Sequence, residues 1–133
     1  MPSLNSGVDM EKIFAIGDIH GCLSKLEHLI PQIEIDSEED TLVFIGDYID
    51  RGPDSPGVVD FVLDLRRKID RVVCLRGNHE QMFLDYVCLN KNESLYLANG
   101  GDATIESYGY RRTPEGRKIN VPESHMSFFR SLL

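Results

Sequence analysis

Three apolar runs, each ending in a glycine-bounded polar cluster, constrain this chain more than any other feature. Residues 12 to 17 lead into Gly17-Asp18-Ile19-His20-Gly21, residues 41 to 45 into Gly46-Asp47-Tyr48-Ile49-Asp50-Arg51-Gly52, and residues 71 to 75 into Gly77-Asn78-His79-Glu80. Between the runs, apolar residues recur at helical spacing. Leu23, Leu26, Leu29 and Ile30 predict a helix over residues 22 to 30, stopped by Pro31. Val58, Val59, Val62, Leu63 and Leu65 predict a second helix up to about Ile69, with Pro53, Pro56 and Gly57 read as the loop before it. Residues 80 to 89 form the third. This alternation predicts an α/β fold, a β-α-β-α-β parallel sheet with right-handed crossover helices. The 41–45 run is continuously apolar, as in strands buried on both faces, and is read as the central strand. Ligands of such sheets sit outside the carboxyl ends of the strands, so the three clusters are expected to share one site.

The rest of the chain is less constrained. Residues 1 to 10 lack periodicity and read as a loose tail, leaving residues 11 to 133 as one domain. Residues 93 to 97 and 102 to 108 read as short helices around an Asn99-Gly100-Gly101 turn, with Gly109 capping the second. Residues 113 to 121, holding Pro114 and Gly116 and followed by Pro122, read as loop, and residues 122 to 133 as a last helix. A net charge of −8 argues against a nucleic-acid partner, since phosphate contacts need clustered cations. The run Arg66-Arg67-Lys68 reads as a solvated helix end. Cys22, Cys74 and Cys88 are odd in number and lack Cys-x-x-Cys spacing, which predicts reduced thiols and no thiolate zinc site. With no signal-like or membrane-spanning apolar stretch, the sequence predicts a cytoplasmic protein with no membrane partner.

The clusters carry the chemistry. Asp18 and His20 are one residue apart, and alternate residues of an extended chain project to one side, so carboxylate and imidazole are expected to converge as metal ligands. Asp47 supplies a third donor, and this oxygen and nitrogen set suits Mn, Fe or Zn. Asn78 offers a neutral carbonyl oxygen to a second metal bridged by Asp47. Two metals there would support in-line displacement at phosphorus through an activated water. Arg51 has the planar fork that matches phosphoryl oxygens. His79 is the candidate acid for the leaving alkoxide, with Asp50 orienting it. Asp and Asn after glycine are common turn formers, so one such motif is weak and the ordered set of three carries the signal. His28 and His125 read as structural, Ile49 as packing, and Tyr48 as packing with substrate contact as its alternative role.

With those residues in view, the chain resembles the calcineurin-like metallophosphoesterases, in particular the bacterial serine/threonine phosphoprotein phosphatases. The three motifs match that family's signature, with Ile49 where valine is usual, and the likeness extends over residues 11 to 133. The resemblance implies an αββα sandwich. It also implies Asp18, His20 and Asp47 on a first metal, Asn78 on a second, Arg51 on phosphate and His79 with Asp50 as the acid. The implied substrates are phosphorylated proteins or small phosphate esters, with diadenosine tetraphosphate hydrolysis or a non-catalytic metal- or phosphate-binding module as alternatives. The family's later histidines, in His-Ala-Gly and Gly-His-Thr-Pro, and its second arginine are not in this sequence. The chain therefore resembles the first half of such an enzyme, and three expectations follow: about one bound manganese or none, negligible turnover by itself, and self-association through the sheet surface that later strands would cover.

Overall fold

A computed structural model describes residues 10 to 133. The expected loose tail, apart from Met10, lies outside the described residues. Three parallel strands, β1 (Ile13–Ile16), β2 (Thr41–Phe44) and β3 (Arg71–Cys74), form one sheet in the order β1-β2-β3. Their register is flush: Ile13 pairs with Thr41 and Thr41 with Arg71, while Ile16 pairs with Phe44 and Phe44 with Cys74. All three strands thus stop at one level, and the three polar clusters emerge side by side.

Helices α1 (Leu23–Leu29) and α2 (Ser55–Lys68) connect the strands, and α3 (Asn78–Leu89) leaves the third. Because spatial order follows chain order, right-handed crossovers must put α1 and α2 on the same face of the sheet. Leu42 and Phe44 point to the covered face and are fully buried with Val58, Val59 and Val62. The opposite face is open: Ile13 is 73% exposed and Ile45 53%. This corrects the expectation of a central strand buried on both faces, since an apolar run does not say which face a helix covers.

Two helix starts also differ from expectation. α2 begins at Ser55, because Asp54 caps it by accepting the Gly57 N–H at 2.8 Å and Pro56 is tolerated in a first turn. α3 begins at Asn78, so Asn78 and His79 occupy a helical first turn. Beyond it come α4 (Glu93–Ala98), α5 (Gly101–Tyr108) and α6 (Glu123–Ser131). The expected loop at 113 to 121 is instead mostly hairpin. β4 (Tyr110–Thr113) and β5 (Gly116–Ile119) pair antiparallel, with Pro114 and Glu115 alone in the turn, where proline removes no ladder hydrogen bond. Pro122 falls after the hairpin.

α6 lays Phe128 and Phe129 into the core, and the chain then returns along β3: Leu133 N–H donates to Cys74 O and Arg76 N–H to Leu133 O. His125 ties this helix down. It is buried, donates from Nε2 to Asp60 at 2.6 Å and accepts the Tyr108 hydroxyl at 2.7 Å. His28 lies exposed on α1 with its ring against the Ser24 carbonyl.

Candidate active site

The loops after the strands are tied by backbone hydrogen bonds. His20 N–H donates to Asp47 O at 2.9 Å and Gly21 N–H to Tyr48 O at 2.8 Å. Glu80, from α3, holds the next two loops together. One carboxylate oxygen accepts Asp47 N–H at 2.7 Å and Gly77 N–H at 3.0 Å, and the other accepts Tyr48 N–H at 2.9 Å. Glu80 is fully buried, and that burial lifts its carboxyl up to about 7, while the three N–H donors favour the ionised form.

Asp18, His20, Asp47, Asp50 and Arg51 all have positive φ, between 44° and 74°. Left-handed backbone at non-glycine residues costs of order 1–3 kcal/mol each and is stored where surrounding structure over-determines it. Asp18 and His20 therefore do not form the extended dipeptide expected from their spacing. The close approach of the loops also needs glycine at 52 and 77: a Cβ on Gly52 would collide with His20 O, and one on Gly77 with the Asp47 carboxylate.

Ligating atoms of His20, Asp47 and His79 lie within 4.8 Å of one another. His20 donates from Nδ1 to Ile49 O at 2.8 Å, which leaves Nε2 as the free lone pair. His79 is buried and uses Nδ1 on Asp50 Oδ2 at 2.8 Å, so its Nε2 is also free. The two rings meet edge to face, with centroids 4.6 Å apart. Two imidazole nitrogens and a carboxylate are a donor set that fits a divalent cation of the manganese, iron or zinc type. Asp18 is exposed and stands outside this trio, and Asn78 is exposed at the start of α3.

Asp50 is fully buried and held from four sides. Besides His79, its carboxylate accepts the Tyr96 hydroxyl at 2.6 Å and the Thr104 hydroxyl at 2.7 Å, while its N–H reaches Thr104 Oγ1 and Ser55 Oγ. Tyr96, Thr104 and Ser55 are not among the site residues that the sequence predicts. Tyr96 and Thr104 come from helices 46 and 54 residues away, and no local pattern marks them. Arg51 is anchored through its backbone N–H to Gly100 O at 3.0 Å, while its exposed guanidinium has no partner among the described residues. Tyr48 is fully buried, packs on Phe128 and donates to Leu75 O at 2.8 Å, so it is a core residue and not a substrate contact.

A flush parallel sheet with a metal-ligand trio, a buried carboxylate–imidazole pair and a free arginine at its carboxyl end defines a metallophosphoesterase type of site. The calcineurin-like phosphoesterase profile matches residues 11–125, and the chain belongs to that family of hydrolases. It is similar to serine/threonine-protein phosphatase 1 of Salmonella typhimurium, 41% identical over 68% of this chain and 39% of the relative. It is also similar to the symmetrical bis(5'-nucleosyl)-tetraphosphatase of Pectobacterium atrosepticum, 38% identical over 60% of this chain and 28% of the relative. Among solved structures, a protein provisionally named a diadenosine tetraphosphatase superposes with a TM-score of 0.60 at 26% identity, covering 93% of this chain and 47% of that one. A cold-active protein tyrosine phosphatase superposes with a TM-score of 0.52 at 26% identity, covering 74% and 31%. The chain thus spans between 28% and 47% of the length of these proteins. Among the described residues, no helix is long and apolar enough to cross a membrane.

Proposed function

We propose that this chain forms the metal- and phosphate-binding part of a phosphomonoesterase of the serine/threonine protein phosphatase type. Its substrates are phosphoserine, phosphothreonine or small phosphate esters. The observation that carries the reading is the Asp50–His79 pair set beside the His20 and Asp47 donors, with Arg51, the residue after Asp50, exposed and without a side-chain partner among the described residues. Asp18, His20 and Asp47 would hold one divalent cation, manganese foremost, and Asp47 with Asn78 would share a second. Cations bound there supply Lewis-acid chemistry, activating water and neutralising charge on the phosphoryl group.

The remaining work belongs to side chains. Arg51 grips two phosphoryl oxygens through its fork. Asp50 keeps the proton of His79 on Nδ1 when the ring is neutral, so that a second proton, on Nε2, is the one delivered to the leaving alkoxide. Tyr96 and Thr104 hold Asp50 in place. The same Nε2 cannot both ligate a metal and donate a proton, which makes His79→Asn informative: slowed turnover of poor leaving groups with metal affinity intact is expected of the acid, and a loss of metal affinity would make His79 a ligand with His20 and Asp47 instead.

The dinucleotide tetraphosphatase reading rests on shared motifs and on relatives of that name, which cover up to 71% of this chain against 68% for the phosphatase relative. The two are separated by assaying the full-length product of the gene with manganese on a phosphoseryl peptide, para-nitrophenyl phosphate and diadenosine tetraphosphate. The proposal expects the monoesters to be preferred. A preference for the tetraphosphate would overturn it.

A further inference from the structure

One cavity lies away from the catalytic cluster. It is a cleft of about 470 Å³ between the C-terminal end of α3 and the β4–β5 hairpin, lined by Tyr86 and Asn90 on one side and by Arg111, Arg117 and Lys118, with the single carboxylate of Glu115, on the other. The hairpin is electrostatically out of character with the chain. Residues 110 to 119 hold four of the 14 basic side chains and one of the 22 acidic ones. The strand register then sets Arg111 directly across from Lys118, and Arg112 across from Arg117. Like charges directly opposed on a hairpin destabilise it unless an anion compensates them. Arg117 has such a partner, Glu93 at 3.0 Å, whereas Arg111, Arg112 and Lys118 have no ion pair among the described residues.

The cleft is mechanically linked to the phosphate-binding arginine. Glu93, which holds the hairpin through Arg117, is the first residue of α4; the residues just past the end of α4 include Gly100, whose carbonyl holds the backbone of Arg51. Six helical residues rise only about 9 Å. An extended peptide advances about 3.3 Å per residue, so about three residues match the length of α4. The cations are spread over two strands and do not converge on a point, which suits a chain of several carboxylates better than one small anion.

We propose that this cleft docks an acidic segment of a phosphoprotein substrate, lying a few residues from the phosphorylated side chain. The proposal rests on the protein phosphatase reading for the identity of its occupant. Docking itself can be measured without turnover.

The test is fluorescence anisotropy of a labelled, unphosphorylated decapeptide of glutamate and glycine titrated with this chain. Arg111→Glu with Lys118→Glu should weaken binding roughly tenfold, the scale expected for reversing two exposed charges. The milder pair Arg111→Gln with Lys118→Gln, which removes the repulsion and perturbs the hairpin least, should give an intermediate loss. Arg66→Glu with Arg67→Glu, an equal charge change on α2, should leave affinity within about twofold. Equal losses at both places would mean that only net charge matters, and would overturn the proposal. So would equal binding of a lysine and glycine decapeptide, or competitive displacement of the probe by diadenosine tetraphosphate. Acidic-peptide docking at the hairpin in a protein that fails to dephosphorylate phosphoseryl peptides would leave the cleft standing and remove the phosphatase reading.

Discussion

Glu80→Gln tests how the site is held together. The carboxylate uses both oxygens on three backbone N–H groups, at 2.7, 2.9 and 3.0 Å, in a fully buried position. An amide has one acceptor oxygen. In its better orientation it keeps the bonds from Asp47 and Gly77 and turns its NH2 against the Tyr48 N–H, leaving two buried donors facing each other. Losing a charge-assisted hydrogen bond costs about 1.5–3 kcal/mol, and an unsatisfied buried donor about 1–3 kcal/mol. The neutral amide recovers part of this, because it escapes the burial penalty that lifts the carboxyl up to about 7. A net loss of about 2 kcal/mol is expected, or about 5–10 °C in Tm for a chain of this size. Urea denaturation followed by circular dichroism at pH 8, where Glu80 is largely ionised, measures it. Glu80→Ala, which strands all three donors and opens a cavity, should cost about 4 kcal/mol. If Glu80→Gln matched the parent within about 0.5 kcal/mol, Glu80 would not be the clamp that joins the second and third loops, and the reasoning would fail.

Three further outcomes are expected. Asp47→Asn should abolish manganese-dependent turnover in the full-length product and lower manganese affinity in this chain, both accessible by para-nitrophenyl phosphate assay and calorimetry; retention of most turnover would sink the bridging role. Arg51→Ala should raise KM and weaken inhibition by inorganic phosphate while manganese binding stays unchanged, because it removes a phosphate clamp without touching the donor trio. This chain should self-associate through the open sheet face that carries Ile13 and Ile45, and Ile13→Lys with Ile45→Lys should shift it to monomer in light scattering coupled to size exclusion; a parent chain that is already monomeric at about 100 μM would refute this.

Periodicity and composition determined the α/β class, the three parallel strands and their helices, because apolar spacing is a local property that packing has to respect. The placement of three polar clusters together was also legible, since flush strands in a parallel sheet bring their carboxyl ends to one level. His79 and Asp50 could be paired from their residue types alone, and they do meet at 2.8 Å. Local rules failed where two signals competed. Proline suggests loop at residues 113 to 121, yet Pro114 sits in a hairpin turn that needs no donor, and Pro56 suggests a loop where the first turn of a helix accepts it. Only the tertiary structure decided the one-sided cover of the sheet, the buried cage of Tyr96, Thr104 and Ser55 around Asp50, and the bridging of two loops by Glu80. Those contacts join residues from 5 to 54 apart. Which donor meets which carboxylate depends on how helices pack over a sheet, and a linear pattern of apolar and polar residues carries no record of that.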